Sequence, residues 1–350
     1  MTGLTQVAIN ARKGIRYGIF FIIFIIVGKF LFDSGVAIYK KVFPAPPPPP
    51  TVKFGKLSKI PFPKSDINPK INYILETPEG GLPTNIPGQA KVFFMPKISA
   101  NLLSLDVAKN KAKVLEFTKD PIQVSDTVYK FGSPNFPSVL EINIITGVFS
   151  ISYDLIADRS PIDTKPPIAE VAAAEYRSAL STAGVLPDDL TGPVTHNFLK
   201  LSDGKLISAL SLSESDLIEI NLFRKSYDNL PSMTGNPNKA NVWAIVSGSS
   251  NKKQQLIVAE YHYFPVDESQ SSTYPIKTPT EAYAEFTAGN VYIADIGLSK
   301  EGDSLKIRRV YLAYFDPDTE TDFFQPIYVF EGDNGFTAYV PAIKSDYYGE

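Results

Sequence analysis

A chain of 350 residues with 44% hydrophobic side chains is long enough for two or three compact units, each burying its own core. It has no cysteine, which excludes disulfide staples, thiolate metal sites, cysteine nucleophiles and lipid attachment through sulfur. The formal charge of −3 is unevenly placed: residues 1–50 carry Arg12, Lys13, Arg16, Lys29, Lys40 and Lys41 against Asp33 alone, net +5, which leaves −8 for the remainder. An acidic body is a poor nucleic-acid binder.

The first element is the run from Ile15 to Phe32, IRYGIFFIIFIIVGKFLF, about 27 Å of helix against the ~30 Å hydrocarbon core of a bilayer. It predicts one membrane span, placed over residues 15–39, after a cytoplasmic tail of residues 1–14. Arg12, Lys13 and Arg16 before the run favour a cytoplasmic N-terminus, but Lys40, Lys41, Lys53, Lys56 and Lys59 follow it, so the basic count alone does not fix orientation. A cleaved signal peptide is the competing reading, with Tyr17–Val27 as its apolar region and Gly35-Val36-Ala37 as small residues at a cleavage spacing. Lys29 and Asp33 stand one turn apart inside the span, polar residues where leucine would anchor better. Either they recognise a partner helix or they sit at the interface beyond a shorter span. Gly14-x-x-x-Gly18 suits close helix packing but lies at the membrane edge.

Pro44, Ala45 and Pro46–Pro50 predict a polyproline II rod, and the spaced prolines up to Pro87 extend it as a linker over residues 40–88. Three α+β units are expected beyond it. The first, residues 89–160, has a helix with Leu105, Ala108, Ala112 and Leu115 on one stripe. Its strands fall near Thr127–Phe131, Leu140–Ile145 and Val148–Leu155, the last two joined at Thr146-Gly147. The second, residues 161–265, opens a helix at Pro166-Pro167 and ends it at Gly184, with Ile168, Ala172, Ala179 and Ala183 on its buried side. Strands Thr195–Leu199, Leu217–Phe223, Val242–Val246 and Gln255–Phe264 follow. The third, residues 266–350, has a capping box at Thr278-Pro279-Thr280-Glu281 and a stop at Gly289, then strands Ile307–Phe315, Pro326–Phe330 and Phe336–Val340. Each helix is expected to cover one face of an antiparallel sheet.

The segments Tyr274-Pro275-Ile276-Lys277, Val310-Tyr311-Leu312-Ala313-Tyr314, Gln325-Pro326-Ile327-Tyr328-Val329-Phe330 and Tyr339-Val340-Pro341-Ala342 resemble the C-terminal unit of the YycH/YycI regulators. Glu141-Ile142-Asn143-Ile144-Ile145-Thr146-Gly147 likewise resembles the terminal hairpin of a PepSY-type unit. The resemblance implies a single-span bacterial envelope protein with extracytoplasmic PepSY-like α+β units that modulates a membrane histidine kinase by protein contacts. The long proline-rich segment departs from that family. The absence of any Asn-x-Ser/Thr triplet also fits a bacterial envelope.

Residues able to carry chemistry are sparse. His196 and His262, the two histidines, fall in separate predicted strands, so they read as structural rather than metal-binding. Ser249-Ser250-Asn251-Lys252 matches a Ser-x-x-Lys pattern, but in a hairpin loop and without companion motifs. Asp316-Pro317-Asp318-Thr319-Glu320-Thr321-Asp322 begins like a calcium loop, yet Thr321 replaces the turn glycine and Ile327 the bidentate glutamate. Trp243, Tyr261, Tyr263, Phe264, Phe323 and Phe324 follow strand spacing and are expected in the core. The resulting expectation is a non-enzymatic, membrane-anchored regulatory protein with no cofactor. Its partner would be an envelope protein: a sensor kinase, secretion component or peptidase. An envelope hydrolase or ligand-binding receptor with a carboxylate-based site is the alternative.

Overall fold

The computed structural model describes residues 2–42, 48–64, 71–97 and 103–349. The chain divides into two compact units, residues 1–49 and 50–350. Pro44–Pro47 of the expected rod and Pro69 of the expected linker lie outside the described residues.

The first unit is one helix, α1 (Thr2–Val42). Its apolar stretch, Ala11–Tyr39, has a mean hydropathy of 2.2 and is long and apolar enough to span a membrane. The helix runs through the expected tail because no proline occurs before Pro44. Lys29 and Asp33 therefore lie well inside a continuous helix, and both are exposed. Gly14 and Gly18 face open space.

The second unit is mixed α+β. Its strands are β1 (Asn72–Leu75), β2 (Gln89–Phe94), β3 (Ile122–Gln123), β4 (Val128–Gly132), β5 (Ser138–Asn143), β6 (Phe149–Tyr153), β7 (Val194–Ser202), β8 (Lys205–Ser208) and β9 (Leu217–Leu222). The remaining strands are β10 (Ser232–Met233), β11 (Val242–Val246), β12 (Leu256–Tyr261), β13 (Asp267–Pro275), β14 (Tyr292–Asp295), β15 (Ser304–Phe315), β16 (Phe323–Phe324), β17 (Pro326–Gly332) and β18 (Thr337–Pro341). The helices are α2 (Ser104–Val114), α3 (Ala169–Thr182) and α4 (Pro279–Thr287).

Two of the three expected units merge. A single antiparallel sheet runs β3-β4-β5-β6-β12-β11-β9-β7-β8, and the β6–β12 pair, with Phe149 opposite Tyr261 and Ile151 opposite Ala259, joins what the sequence separates at residue 160. Alternation explains the joint: β6 and β12 each bury every second side chain, and pairing leaves neither edge open. Helices α2 and α3 cover one face of this sheet. They dock through Ala108, Ala112, Ala172 and Ala173, whose small side chains let the helix backbones lie close, with Tyr176 and Leu180 filling the core around Leu140, Ile151, Ile220 and Ala244. Ile168, expected on the buried side of α3, is 53% exposed because it precedes the helix as an extended N-cap rather than lying within its first turn.

Of residues 51–88, expected as a linker, the described stretches 51–64 and 71–88 are built into the C-terminal sheet region. Strand β1 pairs in parallel with β15, Asn72 opposite Ser304, and β2 is the central strand of a small sheet β13-β2-β16. Leu57 N–H donates to Tyr347 O (2.9 Å), Gly349 N–H returns to Leu57 O (2.8 Å), and Leu57 and Ile60 are buried. The prolines rule out a regular central strand but not an extended belt, and Leu57 and Ile60 between them supply apolar contacts. The region 103–264 is thus an insertion within a lobe made from both ends of the unit, to which it returns one short strand, β10. The main sheet of that lobe runs β1-β15-β17-β18-β14, with β10 also on β15. Helix α4 packs Ala282 and Phe286 onto it, the latter stacked on Phe330 at 4.6 Å.

Candidate functional site

A cavity of about 290 Å³ opens between the C-terminal turns of α2 and α3, above the joined sheet. Its apolar lining comes from Leu115, Phe117, Ile151, Val246 and Leu256, and its polar lining from Glu116, Ser133, Ser138, Glu175, Ser178, Thr182, Lys252, Lys253 and Gln255. The α3 contribution is a helical stripe: Glu175, Ser178 and Thr182 recur at three- and four-residue steps, which puts them on one face. The lysines come from the turn between β11 and β12, where Asn251 Oδ1 accepts the Lys253 N–H (3.2 Å).

The lining's charges cancel in number, Glu116 and Glu175 against Lys252 and Lys253, but they are unequally paired. Lys253 is held by Glu116 at 2.6 Å. Glu175 Oε2 is buried and has no hydrogen-bond partner among the described residues. Burial raises the Glu175 pKa above its ordinary value, and Lys252 offsets only part of that shift.

The end of α2 carries local strain. Glu116 has φ of +67°, with its N–H donating to Lys113 O (3.0 Å) and the Phe117 N–H to Ala112 O (2.8 Å), a left-handed helix stop. Helix α3 ends the same way on Gly184, φ +66°. Glutamate there costs about 1 kcal/mol relative to glycine. The carboxylate that this strain retains is the one holding Lys253.

A second cluster sits where the inserted lobe meets the C-terminal one. Arg224, after β9, is fully buried; its Nη1 donates to Asp189 Oδ2 (2.9 Å) and its Nε lies 2.8 Å from Asp316 Oδ1, just past β15. Its Nη2 donates to Phe264 O, and the guanidinium lies over the Tyr263 ring, 4.2 Å from the centroid. Tyr227 Oη adds a hydrogen bond to Asp189 Oδ2 (2.6 Å). Burial opposes the arginine's charge, but Asp316 and Asp189 outweigh it and raise its pKa; burial pushes Asp316 up to about 6 against the pull of Arg224.

No protein-family model and no curated protein matches the chain. Among solved structures, an uncharacterized protein from Eubacterium rectale aligns over 75% of this chain and 85% of its own, at 13% identity and a TM-score of 0.34. A likeness that remote assigns no activity.

The structure disperses the other residues singled out in the sequence. His196 is on β7 and His262 follows β12, with β9 and β11 between those strands, a separation of about 14 Å at ~4.8 Å per strand. His262 Nε2 lies 3.1 Å from Glu260 Oε2, and this hydrogen bond raises its pKa. Asp316 is consumed by Arg224 and Asp322 by Lys97 (2.8 Å), so the acidic segment does not converge as a calcium loop. Among the described residues, no group of three or more His, Asp or Glu is placed to hold a metal. Ser249 Oγ accepts the Asn251 N–H (3.2 Å) in a polar turn, while Lys252 of the same pattern reaches the cavity. The six aromatic residues divide: Tyr261, Phe264 and Phe324 are buried as strand spacing predicts, whereas Tyr263, Phe323 and Trp243 are half-buried at the core's edge, Trp243 carrying Lys239 on its ring face at 3.3 Å.

Sequence reading missed both the cavity and the charge cluster. The Glu175-Ser178-Thr182 stripe was available as a polar signal flanking the buried face of an alanine-rich helix. Nothing local marks Arg224, because its partners lie 35 and 92 positions away in sequence.

Proposed function

We propose that the protein is a single-pass, membrane-anchored recognition protein. Its body lies outside the cytoplasm and acts without catalysis by holding an envelope partner in the α2–α3 cavity. The observation that carries this reading is the cavity itself, near the ~300 Å³ lower end of ligand-sized pockets and lined by apolar side chains with a few converging polar groups. Helix α1 supports the anchoring half, since its apolar stretch suits a bilayer and would hold the body at the membrane face. The likeness of the C-terminal strands to the YycH/YycI regulators agrees with a sensor kinase, secretion component or peptidase as the partner, as a fold-level analogy. A ligand-binding receptor is the second reading, favoured by the orphan carboxylate oxygen of Glu175.

The test places a photo-crosslinking amino acid at Thr182, on the cavity rim, in the full chain in its native membrane. A discrete adduct that disappears when Ala179→Phe fills the cavity is expected. An adduct unchanged by Ala179→Phe refutes the cavity as the recognition site. Protease added outside the membrane should digest residues 50–350, and full protection refutes the topology.

A further inference from the structure

We infer that the α2–α3 cavity takes an amphipathic primary amine, an ammonium group beside an apolar group of aromatic or leucine size. The inference rests on reading this cavity as the recognition site and adds the chemistry of its ligand. Three independent features select a cation. The first is Glu175, whose Oε2 is buried at the cavity without a hydrogen-bond partner among the described residues; an ammonium supplies both the missing donor and the compensating charge. Ser178 and Thr182, on the same face of α3, add hydroxyl acceptors for its other N–H groups.

The second feature is helix direction. Both α2 and α3 bring their last turns to the cavity, through Val114–Glu116 and Ser178–Thr182. Helix C-termini carry partial negative charge from their aligned peptide dipoles, so two of them favour a cation and oppose an anion. The third is the state of the lysines. Lys253, which would otherwise attract an anion, is neutralised by Glu116, a residue kept in a left-handed conformation that glycine would occupy at lower cost. Only Lys252 is left to favour an anion, and it lies on the exposed rim. Beneath these groups Leu115, Phe117, Ile151, Val246 and Leu256 form an apolar floor that a wholly polar cation would leave unfilled.

The experiment uses the full chain in lipid nanodiscs and two probes of matched shape, 2-phenylethylamine and 3-phenylpropionate, titrated by saturation-transfer NMR. The amine is expected to bind saturably and at least tenfold more tightly than the acid. Glu175→Gln should weaken it at least fivefold and erase the preference, Glu175→Asp should keep the preference, and Ala179→Phe should abolish binding. Amine affinity should also fall as pH drops and Glu175 takes up a proton. Equal binding of both probes, tighter binding of the acid, or indifference to Glu175→Gln overturns the inference. Saturable binding of the acid that Ala179→Phe removes would overturn the amine assignment while leaving the cavity as the recognition site. No binding of either probe also overturns it, and the crosslinking experiment then decides the cavity separately.

Discussion

Replacing Arg224 by methionine tests whether the two lobes are held by a buried charge cluster. Methionine keeps most of the side-chain length but removes the donors to Asp189 and the Phe264 carbonyl and the positive charge beside Asp316. Asp189 retains the Tyr227 hydroxyl, whereas Asp316, 5% exposed, loses its cation and keeps no other charge to offset burial. Breaking a buried pair from one side costs about 3–5 kcal/mol, and the orphaned carbonyl adds roughly 1–3 kcal/mol if water does not reach it. The loss should depend on pH, because Asp316 can escape its unpaired charge by taking a proton. Its folded pKa, already about 6 with the arginine present, should rise further in the variant. The destabilisation should therefore grow with pH above about 6, by up to about 1.4 kcal/mol per pH unit. Urea unfolding of the 50–350 fragment at pH 5.5 and 7.5, with Asp316→Asn and the double variant completing a cycle, measures both the cost and the coupling. A loss under 1 kcal/mol, or one equal at the two pH values, would refute the argument.

His262, with its folded pKa raised by Glu260, contributes stability that is complete below its unfolded value of about 6.5 and is lost as pH rises through the folded value. His262→Gln should accordingly lower the melting temperature at pH 5.5 and leave it nearly unchanged at pH 8.5, and an equal drop at both would contradict this. Thr278 accepts the Glu281 N–H (3.2 Å) and Glu281 returns to the Thr278 N–H (2.6 Å), so Thr278→Ala should cost about 1 kcal/mol in chemical denaturation, with no loss counting against the cap. The Lys29→Leu/Asp33→Leu double variant should insert and fold normally yet recover less partner on detergent extraction. Unchanged recovery would leave recognition to residues 50–350.

The individual elements follow from local signals. The unbroken apolar run Tyr17–Gly28, with no proline before Pro44, dictates α1, and short runs of apolar, β-branched and aromatic residues place β4, β5, β9, β11 and β17 within a few residues of where they lie. The capping box of α4 and the left-handed glycines Gly147, Gly184 and Gly289 were equally legible, because each depends only on residues within a turn of itself. What the sequence could not decide was which strand edges meet. The β6–β12 pair that fuses two expected units spans more than 100 positions, and residues 51–64 and 72–75 close onto partners more than 200 positions away. Alternation fixes which side of a strand is apolar but not its neighbour, so the proline-bearing belt read as a linker until tertiary packing gave its apolar residues a core. The candidate site followed the same logic. Glu175, Glu116 and Lys253 are ordinary charged residues in sequence, and only the convergence of two helix ends over a joined sheet pairs the Glu116 carboxylate with Lys253 and buries Glu175 Oε2 without a donor among the described residues.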